Sequence, residues 1–306
     1  MTGNALRRVL LALACATAAL LSSCGGSTIA STLVPSRMIA FGDGMSDVGE
    51  VGGKRWTVND GSVNIWAQQV AASYGMTLVA ADQGGWGFAR GGTRVADINA
   101  QIDAFVARSS FATNDVVMIS AGMEDIKEQM DLYLSGNLAY QQLLDNVNQI
   151  GKDYGAVVQR LVNLGAKHIL ATGVYGLGVS PYARAVNQET LLNQLSYEGP
   201  QTCAGCPRSF NESFLIAINQ LGATVLYVDA ANYFNQVSNN PTNYLGSSGN
   251  SLNVACTTLL VTSCTPDTIV PGVNYDTYMF ASDLYLTPAS NRLFGSQAYT
   301  NIRNRW

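Results

Sequence analysis

The chain has 306 residues, of which 47% are hydrophobic and only 12% charged, and its formal net charge at neutral pH is −4. This small negative charge, with no basic run beyond the N-terminus, argues against nucleic acid and anionic membrane surfaces as electrostatic partners. The length suits one large α/β domain with a substantial core, and no linker marks a second domain.

The N-terminus has the pattern of a bacterial lipoprotein signal. Two arginines precede an apolar run over residues 9–21, and Leu-Ser-Ser-Cys ends at Cys24. The run is shorter than the roughly 20 apolar residues that span a bilayer. We therefore expect residues 1–23 to be removed, Cys24 to be lipidated, residues 24–36 to form a tether and residues 37–306 to fold. No acidic residue follows Cys24 closely, which favours sorting to the outer membrane of a Gram-negative bacterium. The alternative to a lipoprotein signal is an ordinary signal peptide cleaved nearby, with Cys24 incidental.

Strand-like and helix-like segments alternate along the rest of the chain. Short apolar runs predict buried strands at 38–41, 77–81, 116–121, 168–174 and 224–228, and helical spacing covers 63–73, 95–107, 138–164 and 210–221. Such alternation implies right-handed crossovers with helices on both faces of a parallel sheet. We predict a three-layer α/β/α sandwich with a central, mainly parallel five-stranded sheet, whose ligand site lies beyond the carboxyl ends of the strands.

The first predicted strand leads into Phe-Gly-Asp-Gly-Met-Ser-Asp-Val-Gly at residues 41–49. This segment resembles the FGDSLSDxG signature of the GDSL (SGNH) esterases and lipases, with Gly44 where the nucleophilic serine stands. The resemblance extends from Met38 to about Arg303 and implies an SGNH-hydrolase (flavodoxin-like) fold. Ser46 matches the second hydroxyl residue of the signature and is expected to point away from the site. Glycine keeps a backbone N–H but supplies no nucleophile.

Two further loops resemble the family's oxyanion-binding segments. Residues 87–93 resemble NFAxGGA, with Gly87 in place of the asparagine. The resemblance implies that the backbone N–H groups of Gly91 and Gly92, together with that of Gly44 in the first motif, face the oxyanion. Residues 122–125 resemble GxND, with Glu124 in place of the asparagine donor. A carboxylate there repels the negative charge that develops during acyl transfer, so the expected stabilisation is reversed.

Residues 280–288 resemble the family's FxDxxHPT pattern, in which an aspartate orients the histidine base. Asp283 is retained and Leu286 stands at the base, although a slip by one residue to an HxTP pattern places Tyr285 there instead. The single histidine, His168, begins a predicted strand and therefore lies at the opposite end of the sheet. Without serine and histidine, most of the rate enhancement of such an enzyme is lost.

The resemblance therefore indicates a catalytically inactive pseudoesterase that binds a glycan, a lipid or an envelope protein. Its candidate ligand cleft comprises Asp43, Arg90, Glu124, Asp125 and Asp283, although Asp residues in turns and helix caps are also commonly structural. An ester hydrolase with a non-standard site and a structural envelope scaffold are the alternatives; a cleft filled by its own side chains would favour the scaffold. The carboxylates match no recognised metal-ligand spacing, and no cofactor is implied.

Four cysteines remain beyond Cys24, an even number that fits an oxidising compartment. We expect local pairing of Cys203 with Cys206 and of Cys256 with Cys264, although four cysteines allow three connectivities. Zinc binding or redox activity of the Cys203-x-x-Cys206 pair is the rival interpretation.

Overall fold

The computed structural model describes residues 33–198, 207–258 and 260–306. The predicted signal, most of the tether, Cys24, Cys203 and Cys206 lie outside these residues. In the described part of the chain, no helix has both the length and the hydropathy needed to cross a membrane.

The strands are β1 (Arg37–Gly42), β2 (Asp115–Ser120), β3 (His168–Thr172), β4 (Val225–Val228), β5 (Asn250–Val254) and β6 (Tyr278–Phe280). The helices are α1 (Trp66–Ser73), α2 (Ile98–Val106), α3 (Met123–Leu134), α4 (Tyr140–Asn163), α5 (Pro181–Ala185), α6 (Glu189–Asn193), α7 (Phe210–Ile218), α8 (Ala230–Asn239), α9 (Pro241–Leu245) and α10 (Pro288–Arg305).

The central sheet is parallel, with the order β1-β2-β3-β4. Its first three strands are buried along nearly their whole length, which explains their unbroken apolar sequences. In the register, Met38 lies opposite Val116, which lies opposite His168. The predicted α/β/α class is confirmed, because helices flank this mainly parallel sheet.

The predicted strand at 77–81 is wrong, and the described sheet therefore has four strands rather than five. Residues 86–88 cover the free edge of β1 instead. Ala40 N donates to Trp86 O at 3.0 Å, and Ala40 O accepts from Phe88 N at 2.7 Å. Residues 79–81 touch this segment through an isolated bridge between Ala80 and Gly87. The chain folds back so tightly that a Cβ at Gly85 would lie 2.1 Å from Val79 O, which leaves no length for a regular ladder.

Two groups of helices cover the sheet. In one, Tyr154 of α4 packs 4.2 Å from Phe214 of α7, measured between ring centroids. In the other, Phe294 of α10 packs against Trp66 of α1 at 5.6 Å and Phe234 of α8 at 5.2 Å. These aromatic contacts bury large apolar areas and fix the helices of each group relative to one another.

A small second sheet pairs β5 with β6 in parallel and leads the chain into α10. The predicted disulfide between Cys256 and Cys264 is present, with a Cα–Cα distance of 5.9 Å. Asn59 N donates to Cys264 O at 2.8 Å, which ties the disulfide loop to the segment that carries Trp56. The segment after β6 lies beside the carboxyl end of β1, where Tyr285 approaches Gly44.

Candidate functional site

The turn after β1 is built from two residues with little freedom. Gly42 has φ +126°, and a Cβ there would lie 1.9 Å from Ser120 O on β2, so only glycine fits. Asp43 follows and is buried, and its Oδ1 accepts from Met45 N at 3.0 Å. Burial raises the pKa of Asp43 well above its usual range, and the negative charge of Glu124 raises it further. This turn presents Gly44 at the carboxyl edge of the sheet.

The space beside Gly44 is filled by two aromatic side chains. A Cβ at this position would lie 2.7 Å from both Cε1 and the hydroxyl oxygen of Tyr285, and 2.9 Å from Cγ of Trp56. The two rings pack on each other with centroids 4.8 Å apart. Gly44, which the sequence motif predicts to be the nucleophile position, therefore has no room for a side chain unless these rings move.

Tyr285 is held in place by its hydroxyl group as well as its ring. The hydroxyl donates a hydrogen bond to Glu124 Oε1. Burial raises the pKa of Tyr285 well above its ordinary value, and the negative charges of Glu124 and Asp43 raise it further. The phenol therefore stays protonated and acts as the donor in this pair.

Of the two residues predicted for the histidine position, Leu286 and Tyr285, only the second is placed against Gly44. Leu286 is fully buried, away from Gly44, and its carbonyl accepts from Thr57 Oγ1 at 2.7 Å. Asp283 is exposed, and its Oδ1 accepts from the N–H of Leu284 at 3.0 Å. Tyr285 is the residue that lies against Gly44.

This register has a consequence for the aspartate that would orient the base. In the DxxH spacing, the residue three positions before Tyr285 is Ser282, not Asp283. Ser282 is buried, and its Oγ accepts from Tyr285 N at 3.3 Å. Sequence reasoning missed Ser282 because the neighbouring Asp283 matched the motif by itself.

The start of α3 places Glu124 and Asp125 in different environments. Glu124 is half-buried and faces Tyr285, whereas Asp125 is buried and accepts from Val95 N at 3.1 Å. Burial raises the pKa of Asp125 to about 6, opposed mainly by that hydrogen bond. Asp125 thus holds the loop before α2, while Glu124 belongs to the site.

The two predicted backbone donors of the second loop also differ. Gly91 N donates to Asp47 Oδ2 at 2.8 Å, and a Cβ at Gly91 would lie 1.7 Å from Nε1 of Trp56. Gly92 has φ +75° and open space around it. The Gly91 N–H is therefore bonded to Asp47 in this structure, while Trp56 covers the loop.

A family model described as GDSL-like Lipase/Acylhydrolase matches residues 38–259. The chain belongs to this family. The search of curated proteins found no relative that matches the chain.

Several solved structures resemble this GDSL-like chain at low sequence identity. The acetylxylan esterase Axe2 from Geobacillus stearothermophilus is 15% identical, with 90% of this chain and 96% of that chain covered and a TM-score of 0.47. A member of the lipolytic protein G-D-S-L family from Veillonella parvula is 11% identical, with coverage of 86% and 95% and a TM-score of 0.45. LAE5, an alpha/beta hydrolase enzyme from the metagenome of Lake Arreo, is 15% identical, with coverage of 91% and 98% and a TM-score of 0.45.

The other candidate side chains of this GDSL-like protein lie away from Gly44. Ser46 is buried, with its Oγ 2.7 Å from Ser120 Oγ and accepting from Trp66 Nε1 at 3.1 Å. His168 begins β3 at the opposite end of the sheet, where its ring lies 4.9 Å from that of Trp306. Since His168 is the only histidine in the sequence, no imidazole faces Gly44.

The predicted cleft residues are not gathered in one cavity. Glu124 and Gly92 line an open depression of about 390 Å³, which we call the Glu124 depression. Arg90 is exposed and lines a separate depression of about 300 Å³. Asp43 lies beneath the site in the protein interior. The structure brings together Gly44, Glu124 and Tyr285, with Asp43 near enough to affect the phenol.

The Glu124 depression has mixed charge, but its cations are already paired. Arg94 Nη2 donates to Glu128 Oε1 at 2.7 Å, and Lys127 Nζ lies 2.6 Å from Asp131 Oδ2. Exposed pairs of this kind add little stability and leave little unbalanced charge for a ligand. Among the described residues, no three His, Cys, Asp or Glu side chains are grouped so that they could hold a metal ion.

Proposed function

We propose that this protein is a pseudoesterase, a member of the GDSL-like family that does not hydrolyse esters. The observation that carries the proposal is the filled space at Gly44, where Tyr285 and Trp56 occupy the volume of the missing side chain. Acyl transfer by this family's route requires a hydroxyl nucleophile, an imidazole base and oxyanion donors. Here the first is a glycine and the second is a buried phenol.

The replaced positions depend on one another, which supports a closed site rather than one isolated loss. Gly44 leaves the space that the Tyr285 ring fills, and Glu124 accepts the hydrogen bond of its hydroxyl. A negative charge on Glu124 also opposes an oxyanion at this point. A serine at Gly44 alone would collide with the Tyr285 ring. A change at Glu124 alone would remove the carboxylate that accepts the Tyr285 hydrogen bond.

The filled site favours a structural role in the envelope, or binding through the rim, over binding of a small ligand in the former acyl site. A glycan, lipid or envelope protein that binds here would contact the open Glu124 depression rather than Gly44. The protein would act by shape and hydrogen bonding and would leave its partner chemically unchanged.

Export and lipid anchoring at Cys24, in the outer membrane of a Gram-negative bacterium, complete the proposal. The signal-like N-terminus supports it, and so does the Cys256–Cys264 disulfide, because such bonds persist in oxidising compartments. Metabolic labelling with a palmitate analogue tests the anchor. Label that is incorporated equally into the Cys24→Ser variant would exclude it.

The contact between Tyr285 and Glu124 favours one second candidate, an ester hydrolase with a tyrosine nucleophile and a glutamate base. A hydroxyl bonded to a carboxylate is the arrangement that activates a nucleophile. Against it, Tyr285 is only 4% exposed, and burial raises its pKa. A hydrolytic rate that disappears in Tyr285→Phe would establish this candidate.

Restoration of the family's catalytic groups tests the proposal. The unaltered chain should not hydrolyse p-nitrophenyl acetate, whereas a four-site variant should gain at least about 100-fold over it, since these groups supply most of the rate enhancement. That variant is Gly44→Ser/Glu124→Asn/Ser282→Asp/Tyr285→His. The matched control uses the other register, Gly44→Ser/Glu124→Asn/Leu286→His, and should stay inactive. Activity confined to the control would refute the assignment of Tyr285, and hydrolysis by the unaltered chain would refute the pseudoesterase.

A further inference from the structure

A groove separate from both depressions lies between α8 and α10, with a cavity volume of about 520 Å³. It shares no lining residue with the Glu124 depression or with the depression at Arg90. We call it the amide groove, because carboxamide side chains line both of its walls, with tyrosines between them: Asn232, Gln236, Gln297 and Asn301, with Tyr233 and Tyr244.

The amide groove is almost free of charge. The sequence contains no Asp, Glu, Lys or Arg from residue 230 to 266, nor from 293 to 302 in α10. Among the described lining residues, Asp229 is the one charged side chain, and its Oδ1 caps α8 by accepting from Asn232 N at 2.9 Å. With no cation among the described lining residues, no charged side chain of the groove attracts phosphate, sulfate or an anionic polymer.

The carboxamides form short relays along each wall. The Tyr244 hydroxyl donates to Gln236 Oε1 at 3.2 Å, and Gln236 Nε2 donates to Asn232 Oδ1 at 3.4 Å. On the facing wall, Gln297 Nε2 donates to Asn301 Oδ1 at 3.2 Å. Each carboxamide has two donors and a carbonyl with two lone pairs, so these bonds use only part of its capacity. Both walls therefore offer donors and acceptors side by side, as sugar hydroxyl groups require.

The tyrosines add a rigid apolar surface. The Tyr233 ring is fixed by Phe234 at 5.4 Å and Phe294 at 5.7 Å between centroids, and Tyr244 packs on it at 6.1 Å and 73°. Burial raises the pKa of Tyr233 to about 12, so its hydroxyl is neutral at physiological pH. Half-buried aromatic rings with polar tips suit a ligand that is apolar on its C–H faces and polar at its edges.

We propose that the amide groove binds a neutral oligosaccharide. Its volume lies within the range of about 300–1,000 Å³ that is usual for ligand sites. Neutral hydroxyl groups match the uncharged donors and acceptors of the walls, and the sugar ring faces match the tyrosines. This site does not rest on the loss of hydrolysis at Gly44, and it holds whether or not the pseudoesterase proposal does.

Isothermal titration of the purified full chain tests this site with four uncharged hexasaccharides, namely the cello-, xylo-, malto- and N-acetylchito- forms, at up to about 10 mM. We expect at least one to bind, and the double variant Asn232→Ala/Gln297→Ala to weaken that binding at least about tenfold, as the loss of two hydrogen bonds should. The matched control, Gln149→Ala/Asn163→Ala, removes exposed carboxamides from α4 and should bind like the unaltered chain.

Three results would overturn the proposal. In the first, none of the four hexasaccharides binds. In the second, binding is equally strong in Asn232→Ala/Gln297→Ala and in its control. In the third, the anionic hexagalacturonate binds as well as the neutral sugars. Since all four altered side chains are exposed, the variants should fold normally.

Discussion

Gly44→Ala should destabilise the fold through packing alone. The backbone of Gly44 lies outside the left-handed region, so alanine adds no backbone strain. Its methyl group would meet Tyr285 at 2.7 Å and Trp56 at 2.9 Å, where ordinary contact is 3.4–4 Å. The Tyr285 ring cannot retreat freely, because its hydroxyl is bonded to Glu124. Overpacking of this kind costs about 1–3 kcal/mol, which lowers a urea midpoint by about 0.3–1 M at an m-value of about 3 kcal/mol/M.

The control for this measurement is Gly222→Ala, where φ is −55° and nothing lies within 4 Å of an added Cβ. Its free energy of unfolding should stay within about 0.5 kcal/mol of the unaltered chain. A double-mutant cycle with Tyr285→Ala should recover at least about 1 kcal/mol of the cost of Gly44→Ala, because the colliding ring is gone. If Gly44→Ala is as neutral as Gly222→Ala, the site is not filled as described.

Two further predictions use the same urea assay. Tyr285→Phe keeps the ring but removes the donor to Glu124, so it should cost about 1–2 kcal/mol; an unchanged midpoint would contradict the hydrogen bond. Burial raises the pKa of Asp125 to about 6, above that of an unfolded aspartate, so this carboxyl costs stability as the pH rises from about 4 to 6. Asp125→Asn should therefore stabilise by up to about 3 kcal/mol near pH 7 and by much less near pH 4, whereas a gain independent of pH would argue against the raised pKa.

The elements that the sequence predicts well are those with a strong local signal. The buried strands at 38–41 and 116–121 are continuous apolar runs, and the Cys256–Cys264 pair is close in sequence, so both follow from short-range patterns. The run at 77–81 has a similar composition, yet it forms no strand. Residues 86–88 take the edge of β1, a tertiary competition that no local pattern reveals.

The filled site could be predicted only in part. Gly44 and Glu124 stand out against the family's motifs, but the choice between Tyr285 and Leu286 depends on a loop with no periodic signal. The structure favours Tyr285, because Ala281 N donates to Tyr285 O at 2.8 Å and an isolated bridge joins Phe280 to Leu286. This pairing turns Leu286 into the core. Trp56 follows Gly44 by only 12 residues, but the loop that carries it has no periodic pattern, so the sequence did not predict that its ring packs against Gly44.

The turnover of p-nitrophenyl acetate by the unaltered, purified chain, measured beside Tyr285→Phe, tests the central claim most directly. We predict that both proteins hydrolyse the ester no faster than buffer alone, because Gly44, at the proposed nucleophile position, has no hydroxyl group and its space is filled. Steady turnover by the unaltered chain that Tyr285→Phe abolishes would contradict the claim and identify Tyr285 as a nucleophile.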